Sequence, residues 1–275
     1  MNKFKTKKSL GQNFLESSQT IEKIIKLANL TSDSDVIEIG VGSANLTTYL
    51  AQSAKRVLGF EIDTSLMPIL ERKLNDFPNV YITFGDVLKL DLKEEINSKL
   101  ANFENLTVVA NIPYYITSPI IHLLLESGIS FKNIILMVQK EVAQRITAKP
   151  NTSEYSTLSI YVQEFCDPKL EFIVDKSNFS PAPKVDSAMI TLRQHLNQKP
   201  LTDVESEMKL VQLAFSNRRK QLKNNLFNLT SDPKKKEQIS LLIEELFGNS
   251  KIRAQELSLM EYRKLLSKLR ENGLW

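Results

Sequence analysis

Asp35–Thr47 reads DVIEIGVGSANLT: a β-branched apolar run, two glycines one residue apart, then the start of a helix. An apolar strand at Asp35–Ile39 delivers its end to Gly40-Val41-Gly42, and a helix follows near Leu46–Gln52. Glycine lets the backbone approach a ligand closely and take up positive φ. In an open α/β sheet, ligands bind beyond the carboxyl ends of the strands, where such a loop would sit. The chain has only eight glycines in 275 residues, so a pair at one strand end is more telling than usual.

Working outward, the same unit repeats. Ser17 or Ser18 can cap a helix running to about Asn29, with Ile21, Ile24, Ile25 and Ala28 at helical spacing. Strands are expected at Arg56–Glu61, Val80–Phe84, Leu106–Ala110 and Asn133–Val138, with helices at Ser65–Asn75, Pro119–Glu126 and Lys140–Ala148. Strands separated by helices imply a parallel sheet with right-handed crossovers. After residue 155, Leu158–Phe165, Leu170–Val174 and Ser187–Leu192 read as strands without helices between them, adding antiparallel strands at one sheet edge. From about residue 198 the pattern is helical, at Asp203–Phe215, Arg219–Phe227, Glu237–Leu246 and Ala254–Leu269. The expected architecture is therefore an α/β, Rossmann-like catalytic domain over residues 1–197 and a small all-helical domain over 198–275.

Composition is that of an ordinary globular protein, 42% hydrophobic and 25% charged. Cys166 is the sole cysteine, so an intrachain disulfide is impossible, which fits a reducing cytoplasm. With two histidines and one cysteine, a His/Cys metal site is not expected. No apolar run follows the basic start as a signal peptide would require, and none approaches membrane-spanning length. The net charge of +4 decides little, but its distribution says more. Lys3, Lys5, Lys7 and Lys8 near the N-terminus, and Arg218, Arg219, Lys220 and Lys223, form two acid-free basic clusters. Such clusters are usually solvated faces; beside a nucleotide-binding core they suggest a nucleic-acid track.

The chemistry gathers at successive strand ends. Glu61 closes the second strand about twenty residues after the glycine loop, where a carboxylate can accept both hydroxyls of an adenosine ribose. That much permits a nicotinamide cofactor. The glycine loop is not GxGxxG, however, since Asn45 stands at its sixth position. Gly85-Asp86 ends the third strand and offers a carboxylate to an adenine amine. The fourth strand runs into Asn111-Ile112-Pro113-Tyr114. Asn111 and the Ile112 carbonyl can accept both N–H bonds of an exocyclic amine, Pro113 stiffens the turn, and Tyr114 can stack on a base. The bland alternatives are a surface carboxylate for Glu61, a helix cap for Asp86 and a plain proline bend for the turn. Together the four features describe an S-adenosylmethionine (SAM) methyltransferase acting on a base.

At this point the chain resembles a known family along nearly its whole length, the small-subunit (16S) ribosomal RNA adenine N6,N6-dimethyltransferases of the KsgA type. The resemblance is carried by KSLGQNFL at Lys8–Leu15, the glycine loop, the NIPY turn and QKEVAQR at Gln139–Arg145. FSPAPKVDS at Phe179–Ser187 and AFSNRRK at Ala214–Lys220 extend it. It implies that Asn13 and Leu15 touch SAM, with Gly40, Glu61 and Asp86 as further cofactor positions and Asn111 between cofactor and target. Phe179 would be the second aromatic face for the base. Lys184, Arg218, Arg219, Lys220 and Lys223 would meet RNA. Ala44 stands where the family usually has a third glycine, and Tyr115 where it commonly has Asn.

The resemblance further implies dimethylation of two adjacent adenosines near the 3′ end of 16S rRNA, within an immature 30S particle, by a cytoplasmic monomer. A sister family methylates a large-subunit rRNA adenine and shares the NIPY turn. The QKEVAQR, KVDS and AFSNRRK segments favour the small-subunit enzyme. A DNA adenine methyltransferase would need a larger recognition domain than the C-terminal helices offer. A ribosome-assembly checkpoint, with methylation secondary, is compatible with the enzyme reading.

Overall fold

A computed structural model describes residues 11–196 and 199–275. The basic segment Lys3–Lys8 lies outside them. The chain divides into two compact units, one up to Ala143 with Pro168–Gln194, the other Gln144–Asp167 with His195–Trp275.

The first unit begins with a two-residue strand, β1 (Phe14–Leu15), and α1 (Ser18–Ala28). Four strand–helix steps follow: β2 (Asp35–Ile39) with α2 (Asn45–Ser53), β3 (Arg56–Glu61) with α3 (Met67–Leu74), β4 (Val80–Phe84) with α4 (Leu92–Lys99), and β5 (Leu106–Asn111) with α5 (Thr117–Glu126). β6 (Asn133–Gln139) leads into α6 (Lys140–Ile146). α7 (Thr157–Phe165) precedes β7 (Cys166–Val174), β8 (Phe179–Ser180) and β9 (Ser187–Gln194). The seven-stranded sheet has the order β4-β3-β2-β5-β6-β9-β7, and β1 pairs separately with β8.

β4, β3, β2, β5 and β6 are mutually parallel, and β9 runs antiparallel to β6. All five residues of β2 are buried, as expected of a central strand covered on both faces. One face is covered by α1 and α2, whose Ile21, Ile24, Leu46 and Leu50 meet Val36, Val57 and Val109. α1 starts where Ser17 Oγ accepts the Thr20 N–H, and it ends at Asn29 with φ of 46°. At the amino ends of β2 and β3, away from the glycine loop, Arg56 makes two 2.7 Å bonds to Asp35.

In the second unit, α8 (Leu201–Ala214), α9 (Leu222–Leu226), α10 (Pro233–Phe247) and α11 (Leu259–Glu271) enclose a core that includes Leu210, Leu226, Ile243 and Leu265. Two expectations are corrected here. Leu158–Phe165 is not a strand but most of α7. Its N-terminus carries a reciprocal cap, Ser156 with Ser159, and Ile160 lies in the helical core. The boundary expected at residue 197 also shifts, because Gln144–Asp167 belongs with the C-terminal helices. Charge reinforces that membership. The buried Glu164 on α7 takes two 2.7 Å bonds from Arg263 on α11, and Lys199 stands 3.7 Å away.

Candidate active site

The carboxyl ends of β2, β3, β4 and β5 open into one cleft. Its walls include Gly40, Gly42, Glu61, Asp86, Asn111, Ile112, Pro113 and Tyr114, so the parallel sheet brings together what the sequence spread over some seventy positions.

Glu61 is the best-anchored of these. Its side chain is buried, with Oε2 accepting the Gly42 N–H and Oε1 the Asp63 N–H, both at 2.8 Å. Burial pushes the carboxyl above its usual range, and those two donors work against the shift. Gly40 and Gly42 have φ of +84° and +57°. A Cβ on Gly40 would stand 3.2 Å from the Asn111 carbonyl oxygen, and one on Gly42 2.9 Å from the Phe14 ring. The loop thus touches both the turn after β5 and the segment before α1. Ala44 also has positive φ, 60°, and is fully buried, which explains why glycine suits that position. Asp86 is more open: its side chain is 29% exposed, accepts the Leu88 N–H and lies 3.8 Å from Lys89.

At the β5 end, Asn111 Nδ2 donates to the Asn13 carbonyl at 3.3 Å. Ile112 is buried and its N–H reaches the Met137 carbonyl. Pro113 has φ of −55°, and the Ile116 N–H closes a tight turn onto its carbonyl. The Tyr114 hydroxyl bonds Ser187 Oγ at 2.8 Å, which fixes the ring, and burial raises the phenol's pKa.

The Gly11–Leu15 strap crosses the cleft. Gln12 Nε2 donates to Asp63 at 2.8 Å, and the Leu15 carbonyl accepts from Asn45 Nδ2 at 2.8 Å. Asn13 lines the cleft. Leu15 instead borders a smaller hollow beside Glu38, Gly40, Asn45 and Asn111, its side chain sunk in the core. Three participants escaped the sequence reading: Gln12, Asp63 and Glu38. Gln12 lay in plain view within the N-terminal motif. Glu38 is 1% exposed with Oε2 outside hydrogen-bond geometry; burial pushes it up to about 8, the neighbouring Thr47 hydroxyl working against the shift and the nearby Glu61 charge adding to it.

Two expected positions behave differently. Phe179 is buried in the core with Leu15, because β8 pairs with β1 and turns the ring inward, so it does not line the cleft. Arg218 is engaged by its own unit, with Nη2 donating to the Ser153 and Tyr155 carbonyls at 2.8 and 2.9 Å. Arg219 and Lys220 are exposed, Lys223 is half-buried, and Lys184 is exposed on the first unit. No cluster of three metal-ligating side chains exists among the described residues.

The residues present suit the adenosine of SAM. An anchored carboxylate faces the glycine loop, a second carboxylate ends the next strand, and an unpaired buried oxygen of Glu38 adjoins them. Residues 3–263 match the family model described as ribosomal RNA adenine dimethylase. The chain belongs to the ribosomal RNA adenine dimethylase family. It is a SAM-dependent enzyme of rRNA adenine dimethylation. Among this family's members it is 42% identical to ribosomal RNA small subunit methyltransferase A of Streptococcus pyogenes serotype M3, over 98% of this chain and 94% of that protein. It is 43% identical to the protein of the same name from Streptococcus pneumoniae strain JJA, with the same coverage. A crystal structure of a dimethyladenosine transferase from Plasmodium falciparum superposes with a TM-score of 0.76 at 29% identity, covering 94% of this chain and 98% of that one. The 23S rRNA methyltransferase ErmE superposes at 0.71 and 26% identity, covering 94% and 100%.

Proposed function

We propose that this family member dimethylates N6 of two adjacent adenosines near the 3′ end of 16S rRNA in an immature 30S particle, acting as a cytoplasmic monomer. The observation that carries an adenine amine as target is the fixed amide of Asn111. Its Nδ2 is committed to the Asn13 carbonyl, so its Oδ1 is the group left to accept an N–H from the substrate. The small-subunit assignment is supported by the names of the relatives at 42–43% identity.

SAM supplies an electrophilic methyl group. Asn13, Gly40, Glu61 and Asp86 would hold it, with Leu15 contributing backbone only. Asn111 Oδ1 and the Ile112 carbonyl would accept the N6–H bonds and localise the lone pair that the ring otherwise withdraws. Holding N6 in line is a positioning effect. Tyr114, fixed by Ser187, offers one stacking face. Its phenol keeps its proton, so it is a surface and not a base. Lys184, Arg219, Lys220 and Lys223 would meet phosphates, and binding should weaken steeply with salt. A flat salt response would remove the RNA track.

The test is methyl transfer from labelled SAM to 30S particles lacking the modification, with labelled nucleotides mapped. Dimethyladenosine at two neighbouring positions is expected. Monomethyladenosine alone would refute dimethylation, and labelling of naked large-subunit RNA in preference to 30S would transfer the assignment to the ErmE-like reaction.

A further inference from the structure

We propose that Lys73 and Asn45 are positioning residues for the cofactor: a polar latch that ties the Gly11–Leu15 strap to the glycine loop and so sets how tightly SAM is held. Asn45 Oδ1 accepts from Lys73 Nζ at 2.7 Å, and Asn45 Nδ2 donates to the Leu15 carbonyl at 2.8 Å. Lys73 Nζ also donates to the Ser43 carbonyl at 2.8 Å. Three segments far apart in the chain, the strap, the glycine loop and α3, therefore meet at one amide. That amide borders the small hollow shared with Gly40 and Asn111, beside the strand ends that would hold the cofactor.

The local roles open to these two residues are not the ones they fill. Asn45 opens α2, where asparagine is a good cap, yet the N-cap is Ala44, which has no capping side chain. Within the helix itself asparagine is a poorer former than alanine. Lys73 lies in the last turn of α3, where a cation can answer the helix's own final carbonyls. Its ammonium instead reaches a carbonyl 30 residues earlier in the chain.

The contact is directional. An ammonium can only donate and a carbonyl can only accept, so the amide satisfies both neighbours in a single orientation. Lys73 thereby fixes which way Asn45 faces, and its charge polarises the amide toward stronger donation from Nδ2. Without Lys73 the amide is free to flip, and the flipped form sets Oδ1 against the Leu15 carbonyl oxygen. The loop also needs support from outside. Gly42 and Ala44, on either side of Ser43, have φ of +57° and +60°. Glu61 grips the loop at the Gly42 N–H, and Lys73 grips it one residue further on.

The experiment compares Asn45→Asp, Asn45→Ala, Lys73→Met and the Asn45→Ala/Lys73→Met double variant in the full-length protein. It measures SAM affinity by calorimetry, melting temperature without cofactor, and kcat and KM for SAM on unmodified 30S particles. Asn45→Asp is the decisive variant. Aspartate keeps an acceptor for Lys73, gains an ion pair and suits the first turn of a helix, so the melting temperature should hold or rise. It cannot donate to the Leu15 carbonyl, so SAM affinity should fall by about 2- to 12-fold. Asn45→Ala and Lys73→Met should fall in the same range, with KM for SAM rising in step and kcat close to wild type. Because Lys73 acts through Asn45, the double variant should lose less than the product of the two single losses. Wild-type or tighter SAM affinity in Asn45→Asp would overturn the proposal. So would a melting temperature that falls along with affinity in that variant, which would make the amide a structural tie only. Fully multiplicative losses in the double variant, or a loss of kcat at constant KM, would overturn it too. Calorimetry needs no RNA, so the outcome stands apart from which rRNA is methylated.

Discussion

Replacing Glu61 by Gln changes one atom and should weaken SAM binding by about 5- to 150-fold. The carboxylate spends one oxygen on the Gly42 N–H and the other on the Asp63 N–H, each at 2.8 Å. Glutamine keeps a single acceptor, so one of these N–H groups must face an amide donor in a site where the side chain is 6% exposed. A hydrogen bond to a charged group is worth roughly 1.5–3 kcal/mol. Against this stands relief from burying a charge, visible in the raised pKa of Glu61, so a net loss of about 1–3 kcal/mol is expected. The loss should appear in cofactor affinity, because the displaced backbone is the glycine loop. At 1.4 kcal/mol per decade it corresponds to the stated range. Titration calorimetry with SAM gives the affinity. Repeating it with a 2′-deoxyribose analogue of the cofactor isolates the hydroxyl contact. If Glu61 holds the ribose, removing the hydroxyl should cost wild type more than Glu61→Gln. Equal penalties in both proteins would show that Glu61 only braces the loop. Wild-type SAM affinity in Glu61→Gln would refute the reasoning altogether.

Asn111→Ala should reduce turnover far more than SAM affinity, as rapid-quench and binding measurements would show; equal losses would make it a cofactor ligand only. Gly42→Ala would set a methyl 2.9 Å from the Phe14 ring at φ of +57°, so SAM affinity should fall and the strap should become more open to limited proteolysis. Glu38 is held protonated, with its pKa raised from 4.5 to about 8. Its stabilising contribution is therefore full below about pH 4.5 and is lost as pH rises toward about 8. Melting temperature should decline over that window, and Glu38→Gln should flatten the slope. Ala44→Gly relieves a positive φ costing about 1–2 kcal/mol and loses a buried methyl worth about 0.8, so denaturant melts should show a gain below about 1 kcal/mol.

The alternating part of the fold was legible because its punctuation is local. β2 through β6 are short β-branched runs, and glycine, asparagine or proline stands at an end of α1, α2, α3 and α5. Leu158–Phe165 was misread because apolar residues at 158, 160, 161, 162 and 165 suit a strand and a buried helix equally. The Ser156/Ser159 cap was the usable signal, and the neighbouring helices settle the choice. α4 went unnoticed for the opposite reason. LKEEINSK is so polar that only Leu92 and Ile96 are buried, although Asp91 followed by Glu94 and Glu95 marks a helix start. Phe179 was placed at the target base by its motif; its pairing with β1, which turns the side chain inward here, joins distant segments and leaves no local trace.

The carboxylates show where sequence reading stops and environment takes over. Glu38, Glu61 and Asp86 all stand at or beside strand ends, and spacing alone gave ligand roles to the last two. Their surroundings are graded along the sheet. Glu38 lies on central β2 with one oxygen unpaired, Glu61 on β3 is braced by two backbone donors, and Asp86 follows edge strand β4 with its side chain 29% exposed. A carboxylate two strands from the centre can exchange water for a ligand amine at low cost. One in the centre pays its full desolvation and keeps its proton instead. The same carboxyl chemistry thus yields a buried neutral acid, a carboxyl braced by two backbone donors and a solvated acceptor. The sheet order, β4-β3-β2, produces that sequence of environments.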